Sequence, residues 1–254
     1  MRNTWTIARK DFHTYFTSPI AYIVIAGFLG LMGWFFFFIL SHFALENLKY
    51  QQFNLGKGLS ITEGIIHPLF GNMNVIFLFL VPFITMRLFA EEKKLHTIEL
   101  LMTSPVSLLE VILGKFLSSL MLISVMLLLT TVYPIILWAT GNPELGPICT
   151  SYLGTFLLCC CYLSTGILFS ALTENQIVAG ILTFSAGLFF WIISWASQSA
   201  GAVWGDFFNY LSLIGHYSNF GKGLLDSSDA IFYLSFTGIG LFLTHRVLDS
   251  YRWR

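Results

Sequence analysis

Apolar residues run in six long blocks separated by short polar stretches. The blocks cover about 20–41, 72–89, 108–139, 147–172, 176–198 and 230–247. A helix needs roughly 20 apolar residues to cross a bilayer, so the pattern predicts six transmembrane helices. Pro82 in the second block and Pro134 in the third lack the amide hydrogen that a helix interior uses, and both predict kinks. The third block is long enough to begin outside the bilayer, around Glu110 and Lys115. In the first, Gly27, Gly30 and Gly33 set small residues at intervals that let another helix approach, from this chain or from a second one.

Residues 3–17 precede the first block and show a helical period. Trp5, Ala8, Phe12, Tyr15 and Phe16 share one face, while Arg9, Lys10, His13 and Thr14 fall largely elsewhere. This predicts an amphipathic helix lying on the membrane surface. Ser18 then reads as an N-cap and Pro19 as the first helical residue of the first span.

Between the second and third blocks lies AEEKKLHTIELLMTSPVS, Ala90 to Ser107, the most highly charged loop. On a helical wheel Leu95, Ile98, Leu101 and Met102 form one stripe, and Glu92, His96, Glu99 and Thr103 form another. The expectation is a short amphipathic helix with its apolar face on the membrane domain and its polar face in water. Glu91 and Glu92 suit the helix start through the dipole. Pro105 stops the helix, and Ser107-x-x-Glu110 is a capping box for the next one. Leu100 falls among the polar positions near Lys93 and Thr97, which suits a docking partner; the alternative is a loop helix that merely joins two spans. The short loop at 171–176 carries a second capping box, Thr173-x-x-Gln176, beside Glu174.

Composition agrees with the pattern. The 254 residues are 56% hydrophobic and only 10% charged, which marks an integral membrane protein. Arg9 and Lys10 precede an apolar run too long for a cleavable signal. Formal net charge is zero, so no basic field points to nucleic acid. Placing the N-terminus in the cytoplasm puts Arg2, Arg9, Lys10, Arg87, Lys93, Lys94, Lys115, Arg246, Arg252 and Arg254 inside, with Lys49, Lys57 and Lys222 outside. That bias predicts cytoplasmic termini.

Candidate chemistry is sparse. Cys159, Cys160 and Cys161 are consecutive, and on a helix of 3.6 residues per turn they diverge, so they read as small packing residues. No Asp, Glu, Lys, Arg or His falls at the centre of a block, which counts against a proton-coupled transporter or an intramembrane hydrolase and leaves sodium coupling through carbonyls open. No G-x-x-x-x-G-K-[ST] loop occurs. The remaining polar groups fall at 42–71, with His42, Glu46, Lys57, Glu63 and His67, and at 199–229, with Asp206, His216, Lys222, Asp226 and Asp229. Val203, Phe207, Tyr210, Leu211 and Ile214 suit one face of a helix that dips into the outer leaflet or sits in an aromatic belt. The spacing of His216 and the aspartates matches no metal-ligand pattern.

Four stretches carry a resemblance: ARKDFHTYFTSPIAYI at 8–23, PFITMRLFAEEKKLHTIELLMTSPVSLLEVILGKF at 82–116, ALTENQIVAGIL at 171–182 and LSLIGHYSNFGKGLLDSSDAIFYLS at 211–235. Together they resemble the ABC-2 type permeases, the membrane subunits of one class of ATP-binding-cassette transporters. Within these they look close to a gliding-motility (Gld F-type) branch, itself related to the permease of nitrous-oxide-reductase maturation. The resemblance implies an all-α fold of six transmembrane helices in one permease domain of the bacterial inner membrane. An elbow helix at 3–17 would be oriented by Arg9, Lys10 and Phe12. A coupling helix at 91–103 would dock on a separate P-loop ATPase, present in two copies, through Glu91, Glu92, His96, Thr97, Glu99, Leu100 and Thr103, with Glu174 beside it. Re-entrant helices at 203–226 would form an outer gate with Phe207, Tyr210, His216 and Phe220. ATP and Mg would sit on the ATPase, and this chain would bind no cofactor and catalyse nothing itself. The other implied partners are the lipid bilayer, a second permease chain and an auxiliary protein with a large extracytoplasmic domain. The function implied is ATP-driven export or conformational work. The competing readings are a secondary transporter or channel, and an anchor for an extracytoplasmic partner. One departure stands out: after the acidic pair the family often carries Arg and Gly, where this chain has Lys93, Lys94, Leu95 and His96.

Overall fold

The structure is a computed structural model, and it describes residues 2–52, 60–97, 99, 106–141, 143–199, 205, 207–208 and 210–251. Among these residues all regular structure is helical. In chain order the helices are α1 (Arg2–Thr17), α2 (Pro19–Gln52), a π-helical turn (Thr62–Ile66), α3 (His67–Thr85), α4 (Ala90–Lys94), α5 (Leu108–Thr130), α6 (Val132–Thr140), α7 (Leu145–Leu172), α8 (Gln176–Ser199), α9 (Leu213–Gly221) and α10 (Ser227–Tyr251). Six helical segments are long and apolar enough to cross a membrane, and they coincide with the six predicted blocks.

Local chemistry sets most of the boundaries. Pro19 opens α2, which runs past the predicted end at 41 to Gln52. His42 and Glu46, one turn apart and 3.9 Å from each other, support that extension. The second span starts earlier than 72, because the π-helical turn feeds directly into α3 with Pro68 in its first turn. Pro134 breaks the third span as predicted. It has no amide to meet the Thr130 carbonyl, so α5 ends there and the chain restarts as α6 after Thr131. Pro82 sits inside α3, which ends soon after it at Thr85. The capping box at α5 is complete: the Glu110 amide donates to Ser107 Oγ, and the Ser107 amide donates to Glu110 Oε2. The second predicted box is not. Asn175 caps α8 instead, with its Oδ1 accepting from the Ile177 amide at 2.9 Å. Thr173 Oγ1 accepts from the Asn175 amide, one position too early to reach the helix.

α7 is the centre of the bundle. Of its apolar window 78% is buried, against 22% for α2 and for α8, so those two helices lie at the periphery. α3, α5, α8, α9 and α10 all pack on α7. Small residues allow this. A Cβ at Gly166 would lie 2.2 Å from Thr85 Oγ1 of α3, and one at Gly154 would lie 2.7 Å from Phe220 Cβ of α9. Gly240 of α10 meets Ser164 in the same way. Cys159, Cys160 and Cys161 are buried free thiols in the middle of this helix, consistent with packing. The predicted glycine stripe behaves differently. Gly27 and Gly30 have nothing within 4 Å of an added Cβ, so among the described residues no helix uses them for close approach.

This packing makes a graded prediction. Gly166→Leu forces α3 away from α7 and should cost about 1–3 kcal/mol or more, seen as a lower Tm in detergent. Gly238→Leu on α10, which points into open space, should leave the Tm within experimental error.

Candidate coupling site at the charged loop

The charged loop does not form one helix through Pro105. α4 ends at Lys94, and its end is a Schellman-type turn: the Thr97 amide donates to the Glu92 carbonyl and the His96 amide to the Lys93 carbonyl. The residue that closes it, His96, has φ +55°. That left-handed conformation usually belongs to glycine and costs a histidine roughly 1–2 kcal/mol. Wheel positions beyond Lys94 therefore do not continue the faces of α4. Leu95, expected against the membrane domain, is 63% exposed. His96, Thr97 and Glu99 are exposed, while Leu100 and Thr103, with Ile98, Leu101 and Met102, lie outside the described residues.

The base of the loop is turned inward, and Glu92, expected on the water-facing stripe, pairs within the protein. Its Oε1 accepts from Lys115 Nζ at 2.7 Å. Lys115, on α5, is buried, and its ammonium also lies 3.8 Å from Asp11 of α1 and over the Phe89 ring. One buried cation thus joins α1, α4 and α5. Lys93, expected in water beside Leu100, is buried as well. It donates to the Ala171 carbonyl at the end of α7, and its ammonium sits 3.6 Å from the Tyr251 ring centroid on α10. Ser170 Oγ accepts from the Phe89 and Ala90 amides, satisfying two donors at the start of α4 that the helix itself leaves open. Glu91 is half-buried beside this node and Glu174 is exposed on the neighbouring loop.

α1 packs along α5 through Ile7 and Tyr15, and Ala8 is fully buried. A Cβ at Gly114 would strike Ile7. Tyr15 OH lies 3.3 Å from Ser119 Oγ, and burial pushes its phenol up to about 12 although that hydrogen bond opposes the shift, so it stays neutral. Phe12 stacks edge-on against Phe16, while Arg9 and Lys10 are exposed. Trp5, expected on the membrane-facing side of α1, is exposed, while Ile7 and Asp11 turn toward Gly114 and Lys115 of α5.

The second predicted site is a helix seated on α7. The expected single helix through 203–214 is interrupted at Ser212, whose extended backbone and side chain cap α9 by accepting from the Gly215 amide. Val203 and Asp206 lie outside the described residues. α9 is fastened at both ends. Tyr233 OH donates to the Leu213 carbonyl at 2.7 Å, and Thr150 Oγ1 donates to the Phe220 carbonyl at 2.7 Å. Between them Asp229 of α10 gathers His216 Nδ1 at 2.6 Å and Asn219 Nδ2 at 2.8 Å. His216 Nε2 faces the Tyr210 carbonyl, so each ring nitrogen meets an acceptor. Phe207 and Tyr210 are exposed, whereas Phe220 is fully buried against Gly154. Among the described residues no three His, Cys, Asp or Glu side chains converge as metal ligands.

Sequence reasoning placed the loop but missed Lys93, Lys115, Asp11, Ser170 and Tyr251. Its one available signal was Lys115, a cation inside an apolar run.

Two variants test the anchors. Lys115→Met strands the Glu92 carboxylate and should cost about 3 kcal/mol, and adding Glu92→Leu should recover most of that in thermal melts. Asp229→Ala removes the acceptor shared by His216 and Asn219, and should raise hydrogen exchange over 213–221 with little change in α4.

No curated protein matches the chain. Residues 5–244 match the family model described as ABC-2 family transporter protein. With that match over nearly the whole chain and six membrane-crossing segments, the protein is a multi-pass membrane subunit, not the ATPase, and it belongs to the ABC-2 transporter family.

Proposed function

We propose that this chain couples ATP hydrolysis on a separate P-loop ATPase to movement of the membrane helices, with the loop at 90–107 as the docking surface. The observation that carries this reading is the contrast between the two ends of the loop. The segment after α4, Leu95 to Thr97, is exposed and held in a defined turn. The base of the loop is tied through Lys93, Lys115 and Ser170 to α1, α5, α7 and α10. Force applied at such a turn passes into four helices and does not dissipate in a slack linker. A loop helix that merely joins α3 to α5 needs no such fastening, and neither a channel nor an anchor gives it a role.

In this reading the loop and both termini face the cytoplasm of a bacterial inner membrane, as the Lys and Arg bias favours. α1 acts as the elbow helix and Glu174 lies beside the docking surface. ATP and Mg stay on the ATPase, two copies of which serve two permease chains. The exposed glycines and aromatics of α2 give the second chain, identical or related, a face to approach. α9, pinned to α7 and α10 at the opposite end, is the outer gate element and the contact for an extracytoplasmic auxiliary protein. The work done is export or a conformational change delivered to that auxiliary protein. The link to gliding motility rests only on the resemblance of the four quoted stretches.

The test is a pull-down in mild detergent with an ATPase assay. Leu95→Asp combined with Glu99→Lys should reduce co-purification of the ATPase and its stimulation at least tenfold, while the permease keeps its wild-type Tm. Unchanged stimulation by that double variant would sink the docking assignment.

A further inference from the structure

A cavity of about 640 Å³ opens beside the ionic node, between α1, α2, α3 and α5. Its size falls in the roughly 300–1,000 Å³ range of small-molecule sites. The cavity is divided by chemistry. Its floor is apolar, made by Val24 of α2, Phe83 and Ile84 of α3 and Leu122 of α5. Its rim carries Asp11, Arg87, Glu91, Glu92 and Lys115. An occupant must therefore have a polar head at the rim and an apolar body below it, at the depth where spanning helices meet the surface helix α1. Membrane lipids have that shape and are present there at high concentration.

The rim charges select among lipids. Lys115 is already neutralised by Glu92 Oε1 and Asp11. Arg87 is exposed and makes no ion pair with any described residue. Glu91 is half-buried and likewise has no ion-pair partner among them. The rim thus offers one open cation and one open carboxylate. An anionic headgroup would answer Arg87 and leave Glu91 unmet; a cationic one would do the reverse. A phosphate next to a primary ammonium answers both: the guanidinium fork takes phosphate oxygens and the ammonium donates N–H bonds to Glu91.

We infer that this cavity is a binding site for a zwitterionic, phosphoethanolamine-headed phospholipid, with Arg87 on the phosphate, Glu91 on the ammonium, and an acyl chain between α2, α3 and α5. Bound there, the lipid would fill the gap between α1 and the base of the charged loop. The inference uses the membrane-spanning fold and not ATPase docking, so either can fail without the other.

Native mass spectrometry of the full, delipidated chain tests it, with phosphatidylethanolamine and phosphatidylglycerol added in turn. One phosphatidylethanolamine should be retained at least tenfold more tightly than phosphatidylglycerol. Glu91→Gln should weaken phosphatidylethanolamine about tenfold and leave phosphatidylglycerol unchanged, while Arg87→Gln should weaken both. Ala21→Trp, which fills the cavity from α2, should abolish retention, and the two rim variants keep the test valid should the tryptophan unfold the chain. Equal retention of the two lipids, or wild-type binding by both rim variants, would overturn the assignment. So would a cysteine at position 83 (Phe83→Cys) that cross-links to a second copy in saturating phosphatidylethanolamine, since that would show protein, not lipid, over the floor.

Discussion

Everything else in this molecule depends on how closely helices can approach α7. Inside a bilayer no hydrophobic gain drives two apolar helices together, because lipid tails are as apolar as leucine; association rests on close packing and on hydrogen bonds between helices. α7 supplies both. Gly154 and Gly166 let α9 and α3 come within van der Waals range, and Ser164 meets Gly240 of α10. The hydroxyls of Thr150 and Ser170 then bond to backbone groups of other elements at the two ends of the helix. The three central cysteines fit the same logic, as small side chains that pack without asking for charge.

That arrangement gives α7 a mechanical character. At one end Ser170 and Ala171 hold the base of the charged loop, and at the other Thr150 and Gly154 hold α9. A rigid helix therefore connects the proposed ATPase-docking surface with the proposed outer gate element. The fastenings differ in kind. At the loop they are buried lysines, whose ammonium groups are costly to leave unpaired and therefore hold their partners firmly. At α9 they are a shared carboxylate and two hydroxyls. For a family whose members work with separate ATPases, a stiff path between two polar ends is the feature that a transmitter requires, and the apolar middle needs no chemistry of its own.

The membrane boundary is where the remaining polar chemistry collects. Lys115 alone draws α1, α4 and α5 to one point, and the cavity beside it keeps unmatched charge at its rim above an apolar floor. A lipid seated there would be part of the same boundary structure, completing hydrogen bonds that the protein leaves open at headgroup depth.

The sequence by itself determined the six spans, the break at Pro134, the capping box at Ser107 and Glu110, the N-terminal helix α1 and the position of the charged loop. These are local properties: hydropathy, helical period and capping all act within a few residues along the chain. It also placed Cys159 to Cys161 in packing roles from their spacing alone. What only the tertiary structure decided is which way the loop faces. A wheel drawn over 90–107 assumes an unbroken helix, and the left-handed turn at His96 ends that assumption at Lys94. Glu92 turns inward because Lys115, 23 positions later, is brought against it by packing of α5, and Tyr15 meets Ser119 across 104 positions by the same packing. Likewise Asn175 displaced Thr173 as the cap of α8, and Phe220 is buried because Gly154, distant in sequence, makes room for its ring. Charged and polar side chains take their orientation from partners distant in sequence, since burial forces each to find one, and one-dimensional periodicity carries no record of who that partner is.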